Sequence, residues 1–207
     1  MMMARVSSKQ VFQTDCDKES MAKFMDTIKS TVKVISIFNN DFTEFLDENQ
    51  KLSKDLFNWV TRYIILNAGP PCVYPEIQKE ELLQEMLVKI QDKTTELSKA
   101  LDSIKVKFDR LPQLHRVLEK ESQIVNWDPT KNILVKGSVK HLPPSQYLED
   151  IADILYQYDV SITCIFQYFD ALSLHDAKSY EFLMNSCSIS YEVTDFVREF
   201  LIKTITL

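Results

Sequence analysis

Residues 21–66 read MAKFMDTIKSTVKVISIFNNDFTEFLDENQKLSKDLFNWVTRYIIL, and counting through them in sevens decides the fold. One line takes Phe24, Thr31, Phe38, Phe45, Leu52, Trp59 and Leu66. The line four residues on takes Ile28, Ile35, Phe42, Asn49, Leu56 and Tyr63. Only Thr31 and Asn49 interrupt the apolar series, and neither Gly nor Pro occurs between Met1 and Ala68. An apolar period of about 3.5 residues over that length predicts a long helix that buries one stripe against other helices.

Working outward, Asp17 is a candidate N-cap, with residues 1–17 a flexible lead-in and the helix running from Lys18 to Leu66, with Asn49 a candidate kink. Asn67-Ala68-Gly69-Pro70-Pro71 then stops it, because glycine suits a helix end and the prolines cannot continue it. A second helix is predicted over 76–111, with the seam Leu83, Ile90, Leu97, Ile104, Leu111 interleaved with Leu87, Thr94, Leu101 and Phe108. Pro112 ends or kinks it, and 113–122 can form one more helical segment. Two long helices joined by a short connector pair antiparallel, so 18–122 reads as an αα-hairpin.

Residues 123–144 read as a connector loop containing Gly137, Pro143-Pro144 and the β-prone stretch Asn132–Lys136. A loop of that length inside a compact chain is commonly functional or mobile. From about Ser145 to Leu172 the pattern is amphipathic: Tyr147, Ile151, Ile154, Leu155, Tyr158, Ile162, Ile165 and Phe169 fall on one arc. Two shorter helices are expected after it, over 176–186 and 190–204, packing with it on the hairpin as a smaller C-terminal part, 145–207. The fold class is therefore all-α: an elongated antiparallel helical bundle built on two long helices.

Composition agrees. Two glycines in 207 residues is far below the usual ~7% and argues against turn-rich sheets and glycine-rich phosphate loops. No apolar run approaches the ~20 residues of a membrane helix, and no signal-peptide pattern opens the chain. Cys16, Cys72, Cys164 and Cys187 are too scattered for a metal motif and read as reduced thiols. The expectation is a soluble protein of the cytoplasm, the nucleus or both, with no membrane partner. Charge is uneven: residues 1–140 carry 21 Lys/Arg against 20 Asp/Glu, whereas 141–207 carry 3 against 10. That acidic third repels phosphate backbones, so no direct nucleic-acid binding is expected.

No catalytic pattern emerges. His115, His141 and His175 lack partners at metal-ligand spacing, and Glu149 with Asp153 lacks the Glu-x-x-His companions of a di-metal bundle. No catalytic residue, metal or cofactor is expected, and the chain reads as a non-enzyme. The aromatic series Phe38, Phe42, Phe45, Trp59, Tyr63 reads as core. The candidate partner-binding residues are Glu149, Asp150, Asp153 and Asp159, on the polar side of a helix without Lys or Arg. One sign of charge favours a basic partner surface.

The connector's Tyr74-Pro75-Glu76-Ile77, followed by Glu81-Leu82-Leu83-Gln84-Glu85, carries a resemblance. So do Leu142-Pro143-Pro144-Ser145 leading into Tyr147-Leu148-Glu149-Asp150-Ile151, and the closing Val193–Leu201. In layout, over residues 24–204, the chain resembles the AIRIM family of AAA+ ATPase-interacting ribosome maturation factors. The related cyclin-dependent-kinase-interacting protein family, from the same ATPase assembly, fits the proline-to-helix junction nearly as well. The chain departs from the first in lacking the basic run of the third helix. The resemblance implies a non-enzymatic adaptor that binds AAA+ ATPase subunits and a sister helical adaptor. The implied setting is pre-60S ribosome maturation, with a link to genome maintenance. A long seam with polar breaks suits equally a structural coiled-coil subunit of a cytoskeletal, kinetochore or tethering complex.

Overall fold

The computed structural model describes the backbone of residues 8–69, 76–128, 133–137 and 142–204, and the side chains of the same stretches from residues 18, 78 and 135 onward within the first three. Helices account for nearly all of it: α1 (Ser8–Ala68), α2 (Glu76–Phe108), α3 (Leu111–Ser122), α4 (Pro144–Asp170) and α5 (Ala177–Thr204). A short 3-10 turn spans Ile133–Lys136. The described residues contain no strand, only an isolated bridge between Ser173 and Asp176. The protein is an all-α helical bundle.

The chain divides into two compact units. One gathers residues 1–38, 109–156 and 197–207; the other gathers 39–108 and 157–196. In the second unit α1 and α2 run antiparallel. Lys107 bridges Asp41 at 3.0 Å, and farther along α1 but farther back along α2 the Lys89 ammonium lies 4.7 Å from the Trp59 ring. At the hairpin end Lys79 donates to the carbonyls of Asn67 (3.2 Å) and Gly69 (3.1 Å). A cation there satisfies the carbonyls that α1 leaves open and complements its dipole. Helix α5 also opposes α1, since Tyr191 donates to Asp47 and Gln50 to Ser188.

The core of this unit is built from the seam read in the sequence. Phe42, Leu56, Leu97 and Leu101 are buried, Phe42 stacks with Phe45, and Tyr158 of α4 meets Phe42 edge-on at 5.2 Å. In the first unit Phe24, Ile28 and Ile35 are buried with Leu111, Leu118, Tyr147 and Ile151. Both carboxylate oxygens of Glu121 tie α3 to α1, one to Lys23 at 3.3 Å and one to the Thr27 hydroxyl.

Five expectations need correction. Helix α1 starts at Ser8, so Asp17 lies inside it and does not cap it. With no Gly or Pro before Gly69, nothing in the backbone opposes that extension. The buried line also drifts off the heptad: Leu52 and Trp59 are half-buried, whereas their neighbours Ser53 and Val60 are fully buried. A straight α-helix rotates ~20° per heptad against a 3.5 repeat, so the core moves one residue on.

The second helix ends earlier than expected, at Phe108. That is the residue whose carbonyl Pro112 cannot bond and whose position its ring crowds. Pro112 instead occupies the first turn of α3, where a missing N–H costs nothing. Finally, α5 is one helix, not two. The serines around the expected break bond back into it: Ser186 to the Leu183 carbonyl (2.7 Å), Ser188 to Met184 (3.3 Å), Ser190 to Ser186 (2.9 Å). The β-prone stretch meanwhile forms the 3-10 turn, closed by Gly137 at φ 69°, a left-handed conformation that favours glycine.

Candidate functional site

Helix α4 begins at Pro144 and turns Tyr147, Ile151, Ile154, Leu155, Tyr158, Ile162 and Ile165 into the core. Its polar side then faces outward by the 3.6-residue period alone. Glu149 and Asp153 are exposed on it, with Asp150 half-buried between them and accepting from Gln146 Nε2 at 2.8 Å. These three sit together in the first unit. Asp159, also exposed, belongs to the second. Glu149, Asp153 and Asp159 form neither ion pair nor hydrogen bond among the described residues. The chain thus groups the four acids as three and one.

A second acidic feature lies within the α1–α2 pair. Asp41, Glu44 and Glu48 rim a depression of about 120 Å³, floored by Phe45, Ala100 and Ile104 and closed by Lys107. Small-molecule sites typically enclose ~300–1,000 Å³, so this depression is too small for a drug-sized ligand. Its one lysine is also engaged by Asp41.

The aromatic series behaves as core along most of its length: Phe38, Phe42 and Phe45 are buried, with Trp59 and Tyr63 half-buried. Trp59 is held between Lys89 at 4.7 Å and Arg62 at 5.5 Å, so its ring is used as a cation platform inside the unit. Part of the expected connector is anchored as well. Trp127 donates from Nε1 to the Ser122 carbonyl at 2.8 Å and meets Phe24 edge-on at 5.7 Å, while Val125 is buried.

The buried hydroxyls and thiol do no evident chemistry. Tyr158 donates to Asn39 Oδ1 at 2.6 Å, and burial holds its pKa well above the ordinary tyrosine value. Burial likewise pushes the Cys187 thiol up to about 12. A thiol so protonated is a poor nucleophile. His115 Nδ1 lies 3.7 Å from Glu119 and its Nε2 is packed, while His175 is exposed. His141, Cys72 and the Tyr74-Pro75 motif lie outside the described residues, as do the side chains of Cys16 and Asp17. Among the described residues no three His, Cys, Asp or Glu side chains gather as a metal site, and no helix is long and apolar enough to cross a membrane.

The chain matches no family model, no curated protein and no solved structure. Chemistry on the surface therefore has to speak for function, and one surface was missed in the sequence. Phe182, Ile189 and Phe196 of α5 are 54%, 66% and 39% exposed. Their seven-residue spacing was the available signal, hidden once α5 was divided near residue 188.

Proposed function

We propose that the chain is a non-enzymatic adaptor subunit of a AAA+ ATPase complex acting in pre-60S ribosome maturation. The observation that carries the adaptor class is the outer side of α4, where Glu149, Asp150 and Asp153 stand on a helix without any Lys or Arg. A face kept for solubility alone has no need of a single sign, whereas a docking face gains rate and selectivity from one. The assignment to the ATPase complex is supported by the layout shared with the AIRIM family, including the junction Leu142-Pro143-Pro144-Ser145 at the start of α4. The partners would be ATPase subunits and a sister helical adaptor, in the cytoplasm or nucleus.

One observation favours a second role, as a structural subunit of a cytoskeletal, kinetochore or tethering coiled-coil complex. Asn49 is fully buried on the seam, and a buried asparagine can fix register between helices. Affinity purification of the tagged full chain with mass spectrometry separates the two. Stoichiometric AAA+ subunits are expected; recovery of coiled-coil subunits without them would overturn the adaptor proposal.

A further inference from the structure

The α4–α5 hairpin of the second unit carries an apolar surface that no element of that unit covers. Tyr168 and Phe182 stack across it, with ring centroids 6.2 Å apart and planes at 24°. From that contact the two helices run antiparallel, so about two turns back along α4 and two turns forward along α5 bring Val160 to the level of Ile189. Val160 and Tyr168 are 42% and 39% exposed, and Phe196 prolongs the α5 line. Five large apolar side chains standing together in water is more than a monomer's scattered surface hydrophobics.

Charge around this stripe is one-sided. On α5, Glu181 and Glu192 are exposed, and at 100° per residue they border the Phe182–Ile189–Phe196 line on the side away from buried Leu183 and Ser190. On α4, exposed Asp159 and Asp170 lie roughly 160–180° round the helix from Tyr168, so the acid beside the strip is that of α5. Over residues 157–196 the sequence holds six Asp/Glu and a single Lys/Arg, Lys178, at the end of the stripe. The result is an apolar strip with acid along its α5 edge.

We infer that this strip docks a basic amphipathic helix of a partner protein, whose apolar residues meet Phe182, Ile189 and Phe196 while its flanking Lys or Arg meet Glu181 and Glu192 on the acidic edge. A heptad line on α5 is matched by a heptad line on an incoming helix. A second copy of this chain is disfavoured as the occupant, because each copy would bring the same six acids against one base over residues 157–196. The inference deepens the adaptor reading and rests on it for taking the chain as a protein-docking module.

The test uses the full chain and two designed helical peptides, with Leu at heptad positions a and d and either Lys or Glu at e and g. The Lys peptide should bind in a salt-sensitive way, and the Glu peptide about ten-fold or more weakly. Ile189→Glu is the deciding variant. It makes the strip more acidic, so attraction by charge alone predicts equal or tighter binding of the Lys peptide, whereas the apolar strip predicts its loss. Because Ile189 is exposed, helicity and thermal midpoint should not change, and Ile189→Ser supplies an uncharged second variant.

Equal binding of the two peptides, or Lys-peptide binding that survives both variants, overturns the inference. So does self-association in sedimentation that Ile189→Glu abolishes, which would make a second copy the occupant. Purification of the ATPase subunits is scored separately. Peptide binding lost in Ile189→Glu without recovery of those subunits upholds the strip and removes the adaptor reading. Recovery of the subunits with peptide binding indifferent to Ile189→Glu removes the strip alone.

Discussion

Phe42 and Asn49 sit one heptad apart on α1, both fully buried, and contribute with opposite sign. Phe42 contacts Phe45 and Tyr158, so Phe42→Ala should cost about 3–5 kcal/mol, the range for truncating a packed phenylalanine, read from denaturant midpoints. Asn49 places an amide in the core with neither Nδ2 nor Oδ1 bonded to any described residue. Replacing an unsatisfied buried amide by an apolar side chain of similar size recovers desolvation, so Asn49→Leu should raise stability by about 1–3 kcal/mol. A fall in stability would reveal a bond that Asn49 makes. At high pH the buried groups set the trend. Tyr158 and Cys187 have folded pKa values above their unfolded ones, so the folded state holds protons that the unfolded state releases. Their contribution is complete below about pH 8.5 and is lost above it at ~1.4 kcal/mol per pH unit for each group titrating only when unfolded. Urea midpoints at rising pH should follow that slope, and Tyr158→Phe should flatten the part above about pH 10.

Among the elements, α5 offers the sharpest test, because its continuity through Ser186, Ser188 and Ser190 is what the sequence concealed. Serine is at home both in helix ends and, bonded to a carbonyl behind it, in helix interiors. Only the packing of Ser186 and Ser190 against the core settles which habit prevails. Ser188 is exposed, so Ser188→Ala should be close to neutral, whereas Ser188→Pro should cost ~3 kcal/mol or more by removing the bond to Met184 and crowding its carbonyl. A harmless proline would mean two helices meeting there. Elsewhere the elements were legible for plain reasons. Helix α1 has no breaker, α4 has one strongly biased arc, and Pro112 is a fixed stop for α2. The heptad drift that buries Ser53 and Val60 was not legible, since it depends on α1 staying straight between neighbours. Nor was the exposed line on α5, since Phe182 and Ile189 look like core residues until the helix has a direction.

For the molecule as a whole, the acids at positions 141–207 are the main electrostatic feature, ten against three basic residues. Long-range attraction from such a field acts on encounter rate and fades within a Debye length of ~8 Å at physiological salt. Reversing Glu149, Asp150 and Asp153 to Lys should therefore slow association with the partner proposed above several-fold at low salt, leave the dissociation rate near its original value and leave folding intact. Stopped-flow or surface-plasmon traces over a salt series would show it, and unchanged association rates would remove this face from the docking surface.

Helix α1 also imposes an order on synthesis. Its residues are made first, yet Asn39 waits for Tyr158, Asp47 for Tyr191 and Gln50 for Ser188. Helix α2 can cover one side early, but the side that meets α4 and α5 stays bare until Tyr158, Ser188 and Tyr191 have been added. At ~5–20 residues per second that interval is on the order of ten seconds, ample time for an apolar seam to find the wrong company. A nascent chain stalled before Pro144 should accordingly be held by chaperones, and releasing it should yield aggregate instead of a folded half.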